Sequence, residues 1–263
     1  MKTTSTSIDT AFSKRLAEGG AALIPYLTAG YPDAEASFSL MGGLVEAGAD
    51  IIELGIPFSD PLADGPTIQR SSFQALERGM TAAGTLELLR RFRNTYSTPV
   101  VLFSYLNPIF RYGLESFLAD ATEAGADGLL LTDLPTGADG TLEGQIADSD
   151  LDLIRLLAPT TPPHRMAAVA EGGSGFLYYI SRTGVTGAQQ ELRGNLKGEV
   201  EVIRKAVSLP IAVGFGISTP EQAKAVAEAA DGVVVGSALI NALDLGGVAN
   251  AVDFVKGLRT GMA

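Results

Sequence analysis

The sequence predicts a single-domain (β/α)8 barrel, the TIM-barrel architecture, with an extra N-terminal helix, spanning residues 1–263. Three observations carry this. Eight apolar runs alternate with amphipathic segments from end to end. One kind of helix-to-strand joint recurs three times. No Ser/Gly/Pro tract, charge run or low-complexity stretch divides the chain. A barrel of this class takes about 250 residues, so the length fits.

An amphipathic segment at 8–18 precedes a first strand at 22–28. Helices at 34–47, 85–96 and 114–124 then alternate with strands at 51–55, 100–104 and 128–132. A strand at 153–157, a helix at 162–170, a strand at 176–179, a helix at 196–207, a strand at 211–214, a helix at 220–229 and a strand at 232–236 complete the series. The strands are nearly continuous apolar runs, as expected when both faces of a parallel strand are covered. The helical segments carry apolar residues at three-to-four spacing. The repeated joint reads Glu46-Ala47-Gly48-Ala49-Asp50, Glu123-Ala124-Gly125-Ala126-Asp127 and Glu228-Ala229-Ala230-Asp231, each before a strand. A helix ends, a Gly or small residue caps it, and a buried strand follows. Such repetition favours βα units over two domains. The rival architecture is a doubly wound open sheet; eight units with no GxGxxG after the first strand favour the closed barrel.

Composition narrows the chemistry. A net charge of -11 argues against a nucleic-acid partner. It leaves an anionic substrate open, because backbone N–H groups bind phosphate locally. The absence of Cys excludes disulfides, thiolate catalysis and Cys-ligated metals. With one His, a zinc site built on two or three histidines cannot form within one chain, and no metal is expected. That residue, His164, sits in Thr161-Pro162-Pro163-His164-Arg165 and reads as an exposed helix-start histidine. Proton carriers therefore come mostly from Asp, Glu, Lys or Tyr. No apolar run reaches the ~20 residues of a membrane span, and the first residues lack the apolar core of a signal peptide. The expected compartment is the cytoplasm, with no membrane partner.

In a βα barrel, chemistry sits on the loops that follow the strands. Glu53 interrupts the apolar run of the second strand. It is either a proton carrier whose pKa burial raises, or a structural carboxylate paired with a cation. The loop 56–66 after it holds three prolines with Asp60 and Asp64, and exceeds the usual βα length. Either aspartate can be a turn residue or a second carboxylate aimed at Glu53. After the sixth strand, a Gly- and Gln-containing segment runs to about Asn195 and suits either a hinged lid or a plain solvent loop. Gly214 and Gly216 at the seventh strand, and Gly236-Ser237 at the eighth, each precede a helix start. These positions match the usual barrel phosphate site, the alternative being tight turns without a ligand. Read from the residues alone, this is a lyase or isomerase acting on a phosphorylated small molecule.

The run Glu53-Leu54-Gly55-Ile56-Pro57-Phe58-Ser59-Asp60-Pro61-Leu62-Ala63-Asp64-Gly65-Pro66-Thr67-Ile68-Gln69 closely resembles the signature of the tryptophan synthase alpha chain family. So do Tyr31-Pro32-Asp33, Thr132-Asp133-Leu134-Pro135, Ala158-Pro159-Thr160-Thr161 and Ser181-Arg182-Thr183-Gly184-Val185-Thr186-Gly187. The turns Gly214-Phe215-Gly216-Ile217 and Gly236-Ser237 fit as well, so the likeness covers nearly the whole chain. It implies retro-aldol cleavage of indole-3-glycerol phosphate to indole and glyceraldehyde 3-phosphate. By the same resemblance Glu53 is the main acid–base residue, and Asp64 holds the indole N–H. Phosphate falls to Gly187, Phe215, Gly216, Gly236 and Ser237. Tyr26, Phe103, Leu130, Thr132 and Tyr178 form the indole pocket, with Phe215 also against the ring. Asp60, Arg182 and Thr186 belong to the mobile loops, and Tyr105 and Asp133 order them. The resemblance further implies no cofactor in this chain and a separate pyridoxal-phosphate beta chain as partner in an alpha2beta2 heterotetramer. Tyr26 stands where Phe is common, Thr132 where Ala is common, and Ser71 and Gln74 depart in a helix expected to face the rim.

Overall fold

Eight parallel strands close into a barrel in chain order. They are β1 (Ala22–Thr28), β2 (Ile52–Gly55), β3 (Val100–Ser104), β4 (Gly128–Leu131), β5 (Asp152–Leu157), β6 (Leu177–Ile180), β7 (Ile211–Gly214) and β8 (Gly232–Val235). The structure is a computed structural model that describes residues 5–181, 195–214 and 216–263. Every strand pairs with its sequence neighbours, and β1 closes the ring on β8 through Ala22 opposite Gly232 and Pro25 opposite Val235. Among the described residues the helices are α1 (Ser7–Ala17), α2 (Ala34–Glu46), α3 (Pro66–Glu77), α4 (Ala82–Arg93), α5 (Leu106–Tyr112), α6 (Leu114–Glu123), α7 (Gly140–Ala147), α8 (Pro163–Ala170), α9 (Leu196–Arg204), α10 (Pro220–Ala227) and α11 (Ser237–Gly261). The expected strands fall within two residues of these bounds. The expected segment at 85–96 begins three residues early, at Ala82, because Thr81 caps it by accepting from the Gly84 N–H.

The core has two layers. Between strands and helices lies a large cluster that includes Leu27, Leu54, Leu102, Leu129, Val213 and Val235 from the outward strand faces. Inside the barrel, Ile24, Val101, Leu130, Ile154, Phe176, Ala212 and Val234 form a second cluster. Helix α1 supplies the floor of that interior. A reciprocal capping box between Thr6 and Asp9 starts it. Its apolar face then drives Ile8 and Phe12 fully out of solvent, with Phe12 packed on Phe176 at 5.5 Å between ring centroids. One end of the barrel is thus sealed, and the opposite end, where the strands terminate, is left for a site.

The repeated joint has a physical purpose beyond capping. Asp50 accepts from the Leu23 N–H at 2.8 Å, Asp127 from the Val100 N–H at 2.7 Å, and Asp231 from the Ile211 N–H at 2.8 Å. Each aspartate also meets an arginine: Asp50 meets Arg15 and Arg259, Asp127 meets Arg93, and Asp231 meets Arg204. The carboxylate therefore staples the start of one strand to the previous one and is itself charge-paired. Asp231→Ala leaves a buried N–H unpaired, and is expected to lower unfolding free energy by about 2 kcal/mol in a urea titration.

Helix α11 is long and apolar enough to pass as a membrane span by length and composition. It is not continuous, because Gly246 and Gly247 leave helical geometry. Its buried residues Leu239, Ile240, Leu243, Ala251, Val255 and Leu258 belong to the outer core cluster.

Candidate active site

At the open end of the barrel lies a cavity of about 470 Å³, lined by strand ends, the β2–α3 loop and the starts of α3 and α11. Its floor follows from the twofold alternation of the strands, which sends every second side chain inward. Tyr26 of β1 stands opposite Glu53 of β2 in the strand register. Phe103, Leu156, Tyr178, Ile180 and Val234 continue the inward face around the ring. Tyr26 and Phe103 meet edge to face at 5.3 Å, giving an apolar slot with aromatic walls. Two glycines make room for the tyrosines: a Cβ at Gly55 would overlap the Tyr26 hydroxyl, and one at Gly214 would overlap that of Tyr178.

Two carboxyls enter this slot. Glu53 is 1% exposed, its Oε1 has no hydrogen-bond partner among the described residues, and burial pushes its pKa up to about 8. The structural alternative, a carboxylate neutralised by a barrel cation, is not what is found: no Lys or Arg is among the described lining residues. Asp64 reaches in from the β2–α3 loop. Burial pushes its pKa up to about 6, and a hydrogen bond with Tyr105 acts in the opposite direction. The Tyr105 hydroxyl also accepts from the Ala63 N–H at 3.0 Å, so one tyrosine holds the loop and its carboxyl together. Phe58 packs on the same ring at 5.2 Å. Burial, then the charge of Asp64, pushes the Tyr105 hydroxyl up to about 12, and the Tyr178 hydroxyl rises well above its ordinary value for the same first cause. Asp133 accepts from the Leu106 N–H at 2.8 Å and so pins the start of α5.

The ends of β7 and β8 supply another part of the cavity wall, with Gly216, Gly236 and Ser237. Gly216 has φ 77°, a left-handed conformation that glycine adopts without strain. Gly236, Ser237 and Ala238 line the cavity at the start of α11, which has no side-chain cap, and a helix N-terminus favours an anion there.

Of the residues singled out from sequence, Glu53, Asp64, Tyr26, Phe103, Thr132, Tyr178, Gly216, Gly236 and Ser237 line this one cavity. Leu130 does not. It is fully buried in the interior cluster, one layer below, and Thr132 two residues on takes the lining position. Asp60 is exposed and accepts from the Ser59 hydroxyl at 2.5 Å; it does not line the cavity. His164 is exposed in the first turn of α8. Arg182, Thr186, Gly187 and Phe215 lie outside the described residues. Leu156, Ile180 and Val234 also line the cavity and were readable from strand alternation with Ile154, Tyr178 and the Gly236 turn. Thr67 and Ile68 line it from α3, within the run that carries the family resemblance, and Asn241 lines it from α11, where no local signal marks it. Among the described residues no group of three or more His, Asp or Glu side chains is placed to hold a metal ion.

Comparison with known proteins gives a consistent picture. The family model described as "Tryptophan synthase alpha chain" matches residues 12–256. The tryptophan synthase alpha chain of Citrifermentans bemidjiense is 52% identical over 229 residues, 87% of this chain and 86% of that protein. That of Phenylobacterium zucineum is 48% identical over 251 residues, 95% and 89% of the two chains. Among solved structures, tryptophan synthase subunit alpha from Legionella pneumophila superposes with a TM-score of 0.89 at 40% identity, covering 98% of each chain. Aminoacrylate-bound tryptophan synthase from M. tuberculosis gives 0.88 at 35% identity, covering 98% of this chain and 100% of that one.

Proposed function

Because the chain belongs to the tryptophan synthase alpha chain family, we propose that Glu53 and Asp64 carry that family's reaction here, the cleavage of indole-3-glycerol phosphate to indole and glyceraldehyde 3-phosphate. In the family the indole passes to a separate beta chain, which holds the pyridoxal phosphate, in an alpha2beta2 heterotetramer. The observation that carries the assignment is one cavity lined by two carboxyls, Glu53 buried and Asp64 half-buried, and by the uncapped N-terminus of α11.

The bond between the indole ring and the glycerol chain breaks once the ring carbon bearing that chain is protonated. Glu53, largely protonated near neutral pH, delivers this proton. Positive charge then develops on the ring, and the Asp64 carboxylate, hydrogen-bonded to the ring N–H, offsets it; an oriented charge in an apolar slot acts more strongly than one in water. The hydroxyl on the carbon next to the ring loses its proton to the Glu53 carboxylate, a carbonyl forms there, and the bonding pair of the broken C–C bond returns to the ring. One proton enters at the ring carbon and one leaves the hydroxyl, so Glu53 ends as it began. Gly216, Gly236 and Ser237 hold the phosphate through backbone N–H groups, and Tyr26, Phe103, Thr132 and Tyr178 enclose the ring. The closed ring of strands, with α1 and α11 packed on it from the two ends of the chain, supports reading residues 1–263 as one domain. Membership in a biosynthetic enzyme family supports a cytoplasmic setting.

This division of labour needs Asp64 ionised and Glu53 protonated. With Asp64 pushed up to about 6 and Glu53 up to about 8, indole release as kcat/KM is expected to be bell-shaped. It falls below the lower value as Asp64 gains a proton, and above the upper value as Glu53 loses one. The two carboxyls share a site, so the limbs report the pair rather than either residue alone. A flat profile across this range, measured on the purified chain with beta chain in excess, would remove the acid–base assignment.

A further inference from the structure

Helix α11 begins as a short, separate piece. Gly246 and Gly247 leave helical geometry, so residues 237–245 form a first segment joined to the rest of the helix through a glycine break. Across that break Asn250 Nδ2 donates to the Ala242 carbonyl at 2.7 Å. No side chain caps the start of the segment. Leu239, Ile240 and Leu243 bury its inner face. Apolar burial is non-directional, so it holds the segment down without fixing where its first turn points. Directional contacts must do that.

Ser237, Asn241 and Asp244 follow at i, i+4 and i+7, and so share one stripe of the segment. Ser237 and Asn241 line the cavity. Asp244, one turn farther on, accepts from two donors. Its Oδ1 takes the hydroxyl of buried Tyr31, in the loop after β1, and its Oδ2 takes the guanidinium of Arg70 on α3. One turn before Arg70, the Thr67 hydroxyl donates to Asn241 Oδ1 at 3.4 Å. Two rungs, Thr67–Asn241 and Arg70–Asp244, therefore tie α3 to the first segment of α11, and Tyr31 braces the second rung. The Asp244 contacts are charge-assisted, which makes them the stronger part of the clasp. Thr67 and Ile68 of α3 also line the cavity, and Asp64 lies just before that helix.

We propose that Asp244 is a positioning residue for the substrate phosphate: through Arg70 and Tyr31 it sets the first turn of α11, with Gly236 and Ser237, against the helix that follows Asp64. This rests on the reading of Gly236 and Ser237 as phosphate contacts. The distance between the carboxyl end and the phosphate end of the cavity is then held by side chains that touch no substrate. An ion pair as exposed as Arg70–Asp244 contributes little to folding, so its loss is read in the site more than in the urea midpoint.

Two probes, each carrying one end of the substrate, test this. Glycerol 3-phosphate reports the phosphate end and indole the ring end, both by calorimetry on the purified chain. In Asp244→Ala, glycerol 3-phosphate affinity is expected to fall about tenfold while indole affinity stays within about twofold, and the KM for indole-3-glycerol phosphate rises more than kcat falls. Arg70→Ala should reproduce the pattern, the double variant should lose little more than either single one, and Arg70→Lys should recover most of the loss. Unaltered glycerol 3-phosphate affinity in both single variants overturns the inference and leaves the proposed reaction standing. So does an equal loss for both probes, which marks a general loosening of the cavity. A wild-type chain that binds no glycerol 3-phosphate overturns the phosphate reading and the inference with it.

Discussion

Glu53→Gln is expected to abolish indole release while leaving binding of indole-3-glycerol phosphate within a few-fold of wild type. The amide matches the carboxyl in shape, so the slot lined by Tyr26 and Tyr178 keeps its walls, and Gly216, Gly236 and Ser237 are left unchanged. It cannot give up and regain a proton at the ring carbon, and general acid–base action of this kind is worth about 10⁴-fold at the upper end. Binding by calorimetry together with single-turnover indole formation separates the two effects; wild-type turnover in this variant would end the assignment. The same substitution should stabilise the fold. Burial raises the folded pKa of Glu53 above that of the unfolded chain, to about 8. The folded state therefore holds a proton that the unfolded state has released, and stability falls as pH rises from the ordinary carboxyl range to that value. The amide has no charge to bury, so the variant's advantage in urea midpoint should grow across that interval and level off above it. A functional group that weakens its own fold is what a site built for chemistry displays.

Asp64→Asn is the second large effect, expected at roughly 10³-fold in kcat with the fold intact. Asn can still accept a hydrogen bond from the ring N–H, so the ground-state complex loses little. What disappears is the negative charge facing a ring that becomes positive only on the way to cleavage. The loss should therefore fall on kcat more than on KM. Tyr105 will still hold the loop through the Ala63 N–H. The acidic limb of the pH profile should vanish with the carboxylate that produces it. An unaltered acidic limb in Asp64→Asn would assign that limb to another group.

The strands were legible because each is an apolar run, and three of them follow the same joint of small residues. The short helices α5 and α7 were not: one carries Pro108 within its first turn, and the other holds two glycines in eight residues, so neither shows a periodic stripe. Helix α11 was hidden by the break at Gly246 and Gly247. Within the site, Glu53 was legible as a lone carboxyl in an apolar strand, and Asp64 through the long proline-rich loop. Leu130 was assigned to the pocket because alternation tells which face a residue takes, but not how deep in the barrel it lies. Thr67, Ile68 and Asn241 enter the wall because α3 and α11 fold back over the mouth, a consequence of tertiary packing that no local spacing encodes.

Indole release from indole-3-glycerol phosphate by the purified wild-type chain, with and without a tryptophan synthase beta chain, tests the account most directly. Slow release by the chain alone, rising strongly with the beta chain, is the predicted result. No indole under either condition would mean that Glu53 and Asp64 serve a different phosphorylated substrate.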